Sequence, residues 1–212
     1  MRFKMDGHSF VKHLYATRYL EMSHQVMVHG FDTFSGLPDP SGLGDQSFVK
    51  GGGWEPGYFP GRYDELRAYC AKKQSNFALH KGLFENTITN DFLQTLQEHL
   101  PVLIWIDCDY YSSAKTIFER LAPYIPTGCV VYFDDLYYNF GSRFTGEARV
   151  VWEINQGVFG EGLELVLDRE LMGDSNRVFR FVNLNAKRQH QWVAPTITTD
   201  IVHPLSNGSP FP

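Results

Sequence analysis

The chain has 212 residues, 43% hydrophobic and 20% charged, which is the balance of a folded globule and not of a disordered segment. Twenty-four acidic against nineteen basic residues leave a formal charge of −5, which argues against binding to a nucleic-acid backbone. No apolar run approaches the roughly 20 residues of a membrane-spanning helix, so no membrane association is expected.

The first residues, Met1-Arg2-Phe3-Lys4-Met5-Asp6, match neither a secretory signal nor a transit peptide. Phe3–Met5 reads as a short first strand leading through Gly7 into a helix near His8–Leu20. Gln25–Phe31 reads as the second strand, ending at Asp32, and Phe77–His80 as the third. Asn90–Leu100 has Phe92, Leu93, Leu96 and Leu100 at helical spacing, with Asn90 available as N-cap. Val102–Ile106 is apolar throughout, as expected of a strand buried on both faces. Ser112 or Ser113 is placed to cap a helix running to Tyr124, and Pro126–Gly128 turns the chain into a fifth strand, Cys129–Phe133. A helix over Gly146–Gln156 follows, then Leu163–Leu167 and Val178–Asn183 as an antiparallel edge hairpin. Such alternation is the pattern of an α/β fold: a mostly parallel twisted sheet with helices on both faces.

Two stretches interrupt this order. Gly36–Gly61 carries eight glycines and four prolines with Phe48, Trp54, Tyr58 and Phe59, a composition suited to a lid over a binding site. The polar tail over residues 185–212 is expected to lie on the surface or on a second subunit, outside a domain spanning residues 1–184. The three cysteines, Cys70, Cys108 and Cys129, have no metal-ligand spacing and read as reduced thiols of a cytoplasmic protein.

In an open parallel sheet, ligands bind beyond the carboxyl ends of the strands. Acidic residues stand at those ends here: Asp32 after the second strand, Asp107 and Asp109 after the fourth, Asp134 and Asp135 after the fifth. An acid after the second strand is the usual partner of a ribose; the alternative is that Asp32 simply opens the turn to Gly36. Asp107 and Asp134 are one helical crossover apart, which places them on neighbouring strands. Carboxylates converging there repel one another unless protons or a cation lie between them, and oxygen ligands of this kind suit Mg²⁺, Ca²⁺ or Mn²⁺. Helix capping accounts for Asp109 alone, not for four residues. The eight histidines show no zinc pattern, and neither a nucleophile elbow nor a phosphate-binding glycine loop occurs. Tyr110, Tyr111, Tyr137 and Tyr138 flank the carboxylates, as pocket walls or as packing.

Four segments then stand in a familiar order: Phe31–Pro38 (FDTFSGLP), Lys81–Thr87 (KGLFENT), Ile106–Ser113 (IDCDYYSS) and Phe133–Tyr137 (FDDLY). Together they resemble the macrocin O-methyltransferase family, whose members use S-adenosylmethionine to methylate sugar hydroxyls of natural products. The resemblance implies a Rossmann-like methyltransferase fold. It also implies Mg²⁺ on Asp107, Asp134 and Asp135, the cofactor ribose on Asp32, and the methionine part near Gly7 and Ser9, with Asp107 also counted among the cofactor-binding residues. The family's first glycine is Lys4 here. Asp107 or Asp109 is the expected proton acceptor from a small-molecule hydroxyl substrate. Glu147 matches a further family element; it borders the site or simply favours its helix's first turn. The rival expectations are a metal-dependent transferase acting on a nucleotide and a non-catalytic cofactor-binding protein. The aromatic content and the tail are compatible with a homodimer.

Overall fold

The computed structural model describes residues 7–48, 54–171 and 177–190. The strand expected over Phe3–Met5 and the tail beyond residue 190 lie outside the described residues. Helix α1 (His8–Tyr19) is followed by β1 (Val28–Asp32), α2 (Tyr63–Ala71) and β2 (Phe77–Lys81). Then come α3 (Phe84–Thr87), α4 (Asn90–Glu98), β3 (Leu103–Ile106), α5 (Tyr111–Leu121) and β4 (Val130–Phe133). Helix α6 (Gly146–Asn155) and the strands β5 (Leu163–Leu167) and β6 (Val178–Asn183) complete the order.

Strands β1 and β2 pair in parallel, as do β3 and β4. Strand β6 lies antiparallel between β4 and β5, so the last two strands form the expected edge hairpin. The α/β expectation therefore holds. Among the described residues the strands form two hydrogen-bonded groups, β1-β2 and β3-β4-β6-β5.

The core sits on the four-stranded group. Helix α5 presents Ala114, Ile117 and Phe118 on one face, the i, i+3, i+4 spacing of a buried helical stripe. Phe118 is fully buried and stacks near Phe133 and Phe181, with ring centroids 6.0 and 6.2 Å away. Strand β6 alternates half-buried and buried residues, which puts Phe179, Phe181 and Asn183 inward. Asn183 donates from Nδ2 to the carbonyls of Ala122 and Ile125 at 2.8 and 2.9 Å, so this polar side chain is satisfied within the core.

Several local expectations are corrected. Thr89, not Asn90, caps α4, accepting from the Phe92 N–H at 3.2 Å, while Asn90 accepts from Arg120. Helix α5 starts at Tyr111 without a serine cap and ends at Leu121, where Pro123 tightens the chain into a 3-10 turn over Ala122–Tyr124. Strand β3 is not buried on both faces: Leu103 is 43% and Trp105 38% exposed, while Ile106 on the other face is buried. Helix α2 and the short α3 had no counterpart in the sequence pattern. Residues 185–190 lie on the chain's own surface, with Lys187 N–H on the Pro123 carbonyl and His190 on that of Pro101. No helix among the described residues is long and apolar enough to cross a membrane, and all three cysteines are unpaired thiols.

Phe118 joins Phe133 and Phe181 in the fully buried part of the core. Phe118→Ala should lower the unfolding free energy by about 3–5 kcal/mol, read as a reduced urea midpoint with an unchanged slope.

Candidate active site

Strands β3 and β4 run side by side and in register, Ile106 opposite Phe133, so the residues after them emerge together. The Asp134 N–H donates to the Ile106 carbonyl at 2.9 Å, extending the ladder one step past the strands. Asp107, Asp134 and Asp135 consequently offer carboxylate oxygens that all lie within 4.8 Å of one another. Opposite oxygens in a Mg²⁺ or Ca²⁺ shell lie about 4–5 Å apart, so this donor set has the chemistry and spacing for a hard divalent ion.

Glu147 underlies the arrangement. It is 1% exposed, at the start of α6, and its two oxygens accept from two backbone N–H groups: Cys108 at 3.3 Å and Asp135 at 2.9 Å. One buried side chain thus ties the chain after β3 to the chain after β4. Burial, with the nearby Asp135 charge, pushes its carboxyl well above the usual range, against the pull of both backbone donors. Of the two readings of Glu147 from sequence, this places it under the site, in a positioning part that acid in a first helical turn does not explain.

The turn after β3 is strained. Asp109 has φ 58, and the Tyr110 N–H closes back on the Cys108 carbonyl at 2.5 Å. A non-glycine residue held in this region costs of order 1–3 kcal/mol and persists only where its surroundings dictate it. Those surroundings include Trp54, 6% exposed, whose indole N–H lies near enough to favour the charged Asp109 without reaching hydrogen-bond geometry.

The electrostatics follow from crowding. Desolvation and the Asp107 charge raise Asp109 to about 6. Desolvation, with Asp109, Asp107 and Asp134, raises Asp135 to about 7. Loss of water, then the charges of Asp134 and Asp32, raise Asp107, opposed by a hydrogen bond from the Ser9 hydroxyl. Among the described residues one counter-charge approaches: Arg177 lies 3.7 Å from Asp134 Oδ1, which also accepts from the Tyr132 hydroxyl at 3.0 Å. A part-exposed pair at that distance is weak, and a single guanidinium leaves the cluster strongly negative.

The other predicted residues sit around this centre. Gly7 opens α1 with φ 77, and a Cβ there would lie 2.7 Å from Leu66, so only glycine fits without displacing that side chain. Ser9, in the first turn of α1, reaches Asp107. Asp32 lies close enough to raise Asp107, and its Oδ1 accepts from the Phe34 N–H at 2.5 Å, so it also opens the turn toward Gly36.

The described part of the aromatic loop is docked against this site. Asp45, 2% exposed, accepts from Ser41 and from both the N–H and hydroxyl of Ser112, at 2.8 and 2.7 Å. The α5 N-terminus is therefore capped by a loop carboxylate distant in sequence. Asn139 accepts from Phe48 N–H and donates to the Gln46 carbonyl and Thr145. Trp54 stacks on Tyr138 at 4.5 Å, and the Tyr110 hydroxyl donates to the Trp54 carbonyl. Asp45 and Asn139 were missed from sequence; the one signal was an acid set among the glycines of the loop, one of three acids there.

No protein-family model matches the chain, and no curated protein sequence does. Among solved structures, the calicheamicin methyltransferase CalS11 superposes with a TM-score of 0.56 at 20% identity, covering 81% of this chain and 66% of that one. The O-methyltransferase NovP gives a TM-score of 0.49 at 16% identity, over 79% and 63%. The chain spans about two thirds of the length of each. The likeness to CalS11 shows that the fold is that of this methyltransferase.

Two outcomes are expected. Carboxyls whose folded pKa is raised stabilise the fold below their unfolded pKa and cease to as pH climbs through the folded value. With Asp109 at about 6 and Asp135 at about 7 against 3.8 unperturbed, the melting temperature in chelator should fall from pH 5 to 7.5. Added Mg²⁺ should flatten that fall. In Glu147→Gln one acceptor oxygen must serve two backbone donors, and the unmade bond should cost about 1–3 kcal/mol in urea unfolding.

Proposed function

We propose that the protein is an S-adenosylmethionine-dependent, divalent-metal-assisted O-methyltransferase acting on a hydroxyl of a small molecule, with a sugar or glycosylated natural product as the acceptor class. The observation that carries this reading is the triad of carboxylates within 4.8 Å, at the carboxyl ends of two adjacent parallel strands. The fold shared with CalS11 and the sequence resemblance to the macrocin family support it independently.

Asp107, Asp134 and Asp135 would hold the metal. When bound, a divalent cation lowers the pKa of a ligated hydroxyl and fixes its oxygen for attack on a sulfonium methyl group. The remaining work falls to this chain's own residues. Asp109, held toward the site by its left-handed backbone, accepts the proton that the hydroxyl loses as the O–CH₃ bond forms, with Asp107 as the alternative acceptor. Asp32, Gly7 and Ser9 line the same cleft as Asp107 and would receive the cofactor's ribose and methionine parts. Trp54 and Tyr110 close the site from the loop side and exclude water.

The test is binding and turnover measured together. S-adenosylhomocysteine should raise the melting temperature, and Mg²⁺ should add to that shift. Asp134→Asn should abolish methyl transfer to a panel of vicinal diols while S-adenosylhomocysteine still binds. Full activity of that variant in chelator, or stabilisation by nucleoside diphosphates in place of S-adenosylhomocysteine, refutes the reading.

A further inference from the structure

The strand that leads into Asp134 also supplies a group that acts on it. Tyr132 lies on β4 and Asp134 just past its end, two positions on, so their side chains share a face. Tyr132 stands opposite Trp105 of β3, and the two rings stack with centroids 3.9 Å apart, which fixes the direction of the phenol. Its hydroxyl donates to Asp134 Oδ1 at 3.0 Å.

Arg177 reaches the same carboxylate from the residue before β6. Tyr132 pairs with Val178, and the Phe133 N–H donates to the Arg177 carbonyl at 3.1 Å, so the ladder sets Arg177 beside the start of the acidic turn. Its guanidinium donates to the Asp134 backbone carbonyl and stands 3.7 Å from Oδ1, with the Tyr137 ring 5.9 Å away. It also lies near the Tyr132 hydroxyl. A guanidinium accepts no hydrogen bond, so the one hydroxyl proton goes to Asp134.

Asp134 is thereby held at three atoms: its N–H on Ile106, its carbonyl by Arg177, and Oδ1 by Tyr132. Among the described residues, Oδ2 takes no hydrogen bond. The two oxygens are therefore unlike. Oδ1 is filled by the hydroxyl and faced by a positive charge, which repels a second cation; Oδ2 is the oxygen left to ligate one.

We propose that Tyr132 and Arg177 are positioning residues that hold Asp134 to ligation through one oxygen, and so make the acidic triad select Mg²⁺ over Ca²⁺. The inference rests on the triad being the metal site of the proposed reaction. Ca²⁺ takes roughly six to eight oxygens in a flexible shell and often binds a carboxylate through both of its atoms, whereas Mg²⁺ demands a compact octahedron and keeps several waters. Three carboxylates that each give one oxygen leave half of an octahedral shell for water and the acceptor's oxygens. Freeing Oδ1 would let Asp134 bind through both atoms, which suits the larger ion.

Calorimetric titration of the full chain with Mg²⁺ and with Ca²⁺, without methyl donor or acceptor, tests this. Tyr132→Phe keeps the stacked ring and removes only the hydroxyl. Its Ca²⁺-to-Mg²⁺ affinity ratio should rise about tenfold over that of the unsubstituted protein. Arg177→Gln should also raise the ratio, and Arg177→Lys, which keeps the charge, should raise it less. Each variant should keep a cooperative melt in chelator, so that the ratio reads the site and not the fold. An unchanged ratio in Tyr132→Phe, with both ions still lost in Asp134→Asn, overturns this proposal and leaves the metal reading standing. So does a preference for Ca²⁺ in the unsubstituted protein. Failure of that protein to bind either ion, or binding undiminished in Asp134→Asn, overturns the metal reading and this proposal with it.

Discussion

The site depends on one buried carboxylate gripping two loops. Glu147 accepts from the backbone N–H groups of Cys108 and Asp135, and these amides belong to the two turns whose side chains repel each other. Without such a tie, Asp107, Asp134 and Asp135 would relax apart, since nothing in their own chemistry favours proximity. The strained turn at Asp109 and the close approach of Asp134 to the Ile106 carbonyl are the same constraint in the backbone. The fold thus spends stability to concentrate negative charge where a cation can bind, an arrangement found where structure serves chemistry more than rigidity.

Much of this was readable from the residues, for identifiable reasons. Leu163–Leu167 and Val178–Asn183 match the expected strands end to end, because apolar and β-branched runs bounded by Gly162 and the charged link between them leave no other register. The convergence of Asp107 with Asp134 and Asp135 was legible because each follows an apolar run of strand length, and a crossover helix sets the two strands side by side. Helix α2 escaped notice because its one buried residue is Cys70, which gives no stripe to detect. The caps were misassigned where the true partner is distant: Asp45 serves Ser112 across 67 positions, beyond any local capping motif. Glu147 was left open between bordering the site and favouring its helix's first turn, and its grip on two backbone amides could not be read, because backbone donors leave no trace in side-chain patterns.

The halves of the molecule differ accordingly. The β3-β4-β6-β5 group carries almost the whole buried cluster and both turns of the acidic triad, while β1 and β2 contribute aromatic contacts such as Phe31 on His80 at 4.2 Å. The methyl-donor side of the proposed reaction belongs to the lightly packed half, and the acceptor side to the well-packed half. Local opening is easiest where buried apolar contacts are few, so in the proposed reaction exchange of the donor product would call for less disruption than movement of the acidic triad.

Asp45 carries a consequence for traffic into the site. The carboxylate that pins the loop at Ser41 also terminates α5, the helix that bears Phe118. Swinging residues 41–48 outward would strip that helix of its cap and disturb the hydrophobic interior beneath it. Residues 41–48 are thereby tied to the packing of the core, whereas Asp32, Phe34 and Tyr58 line the cleft on its other flank.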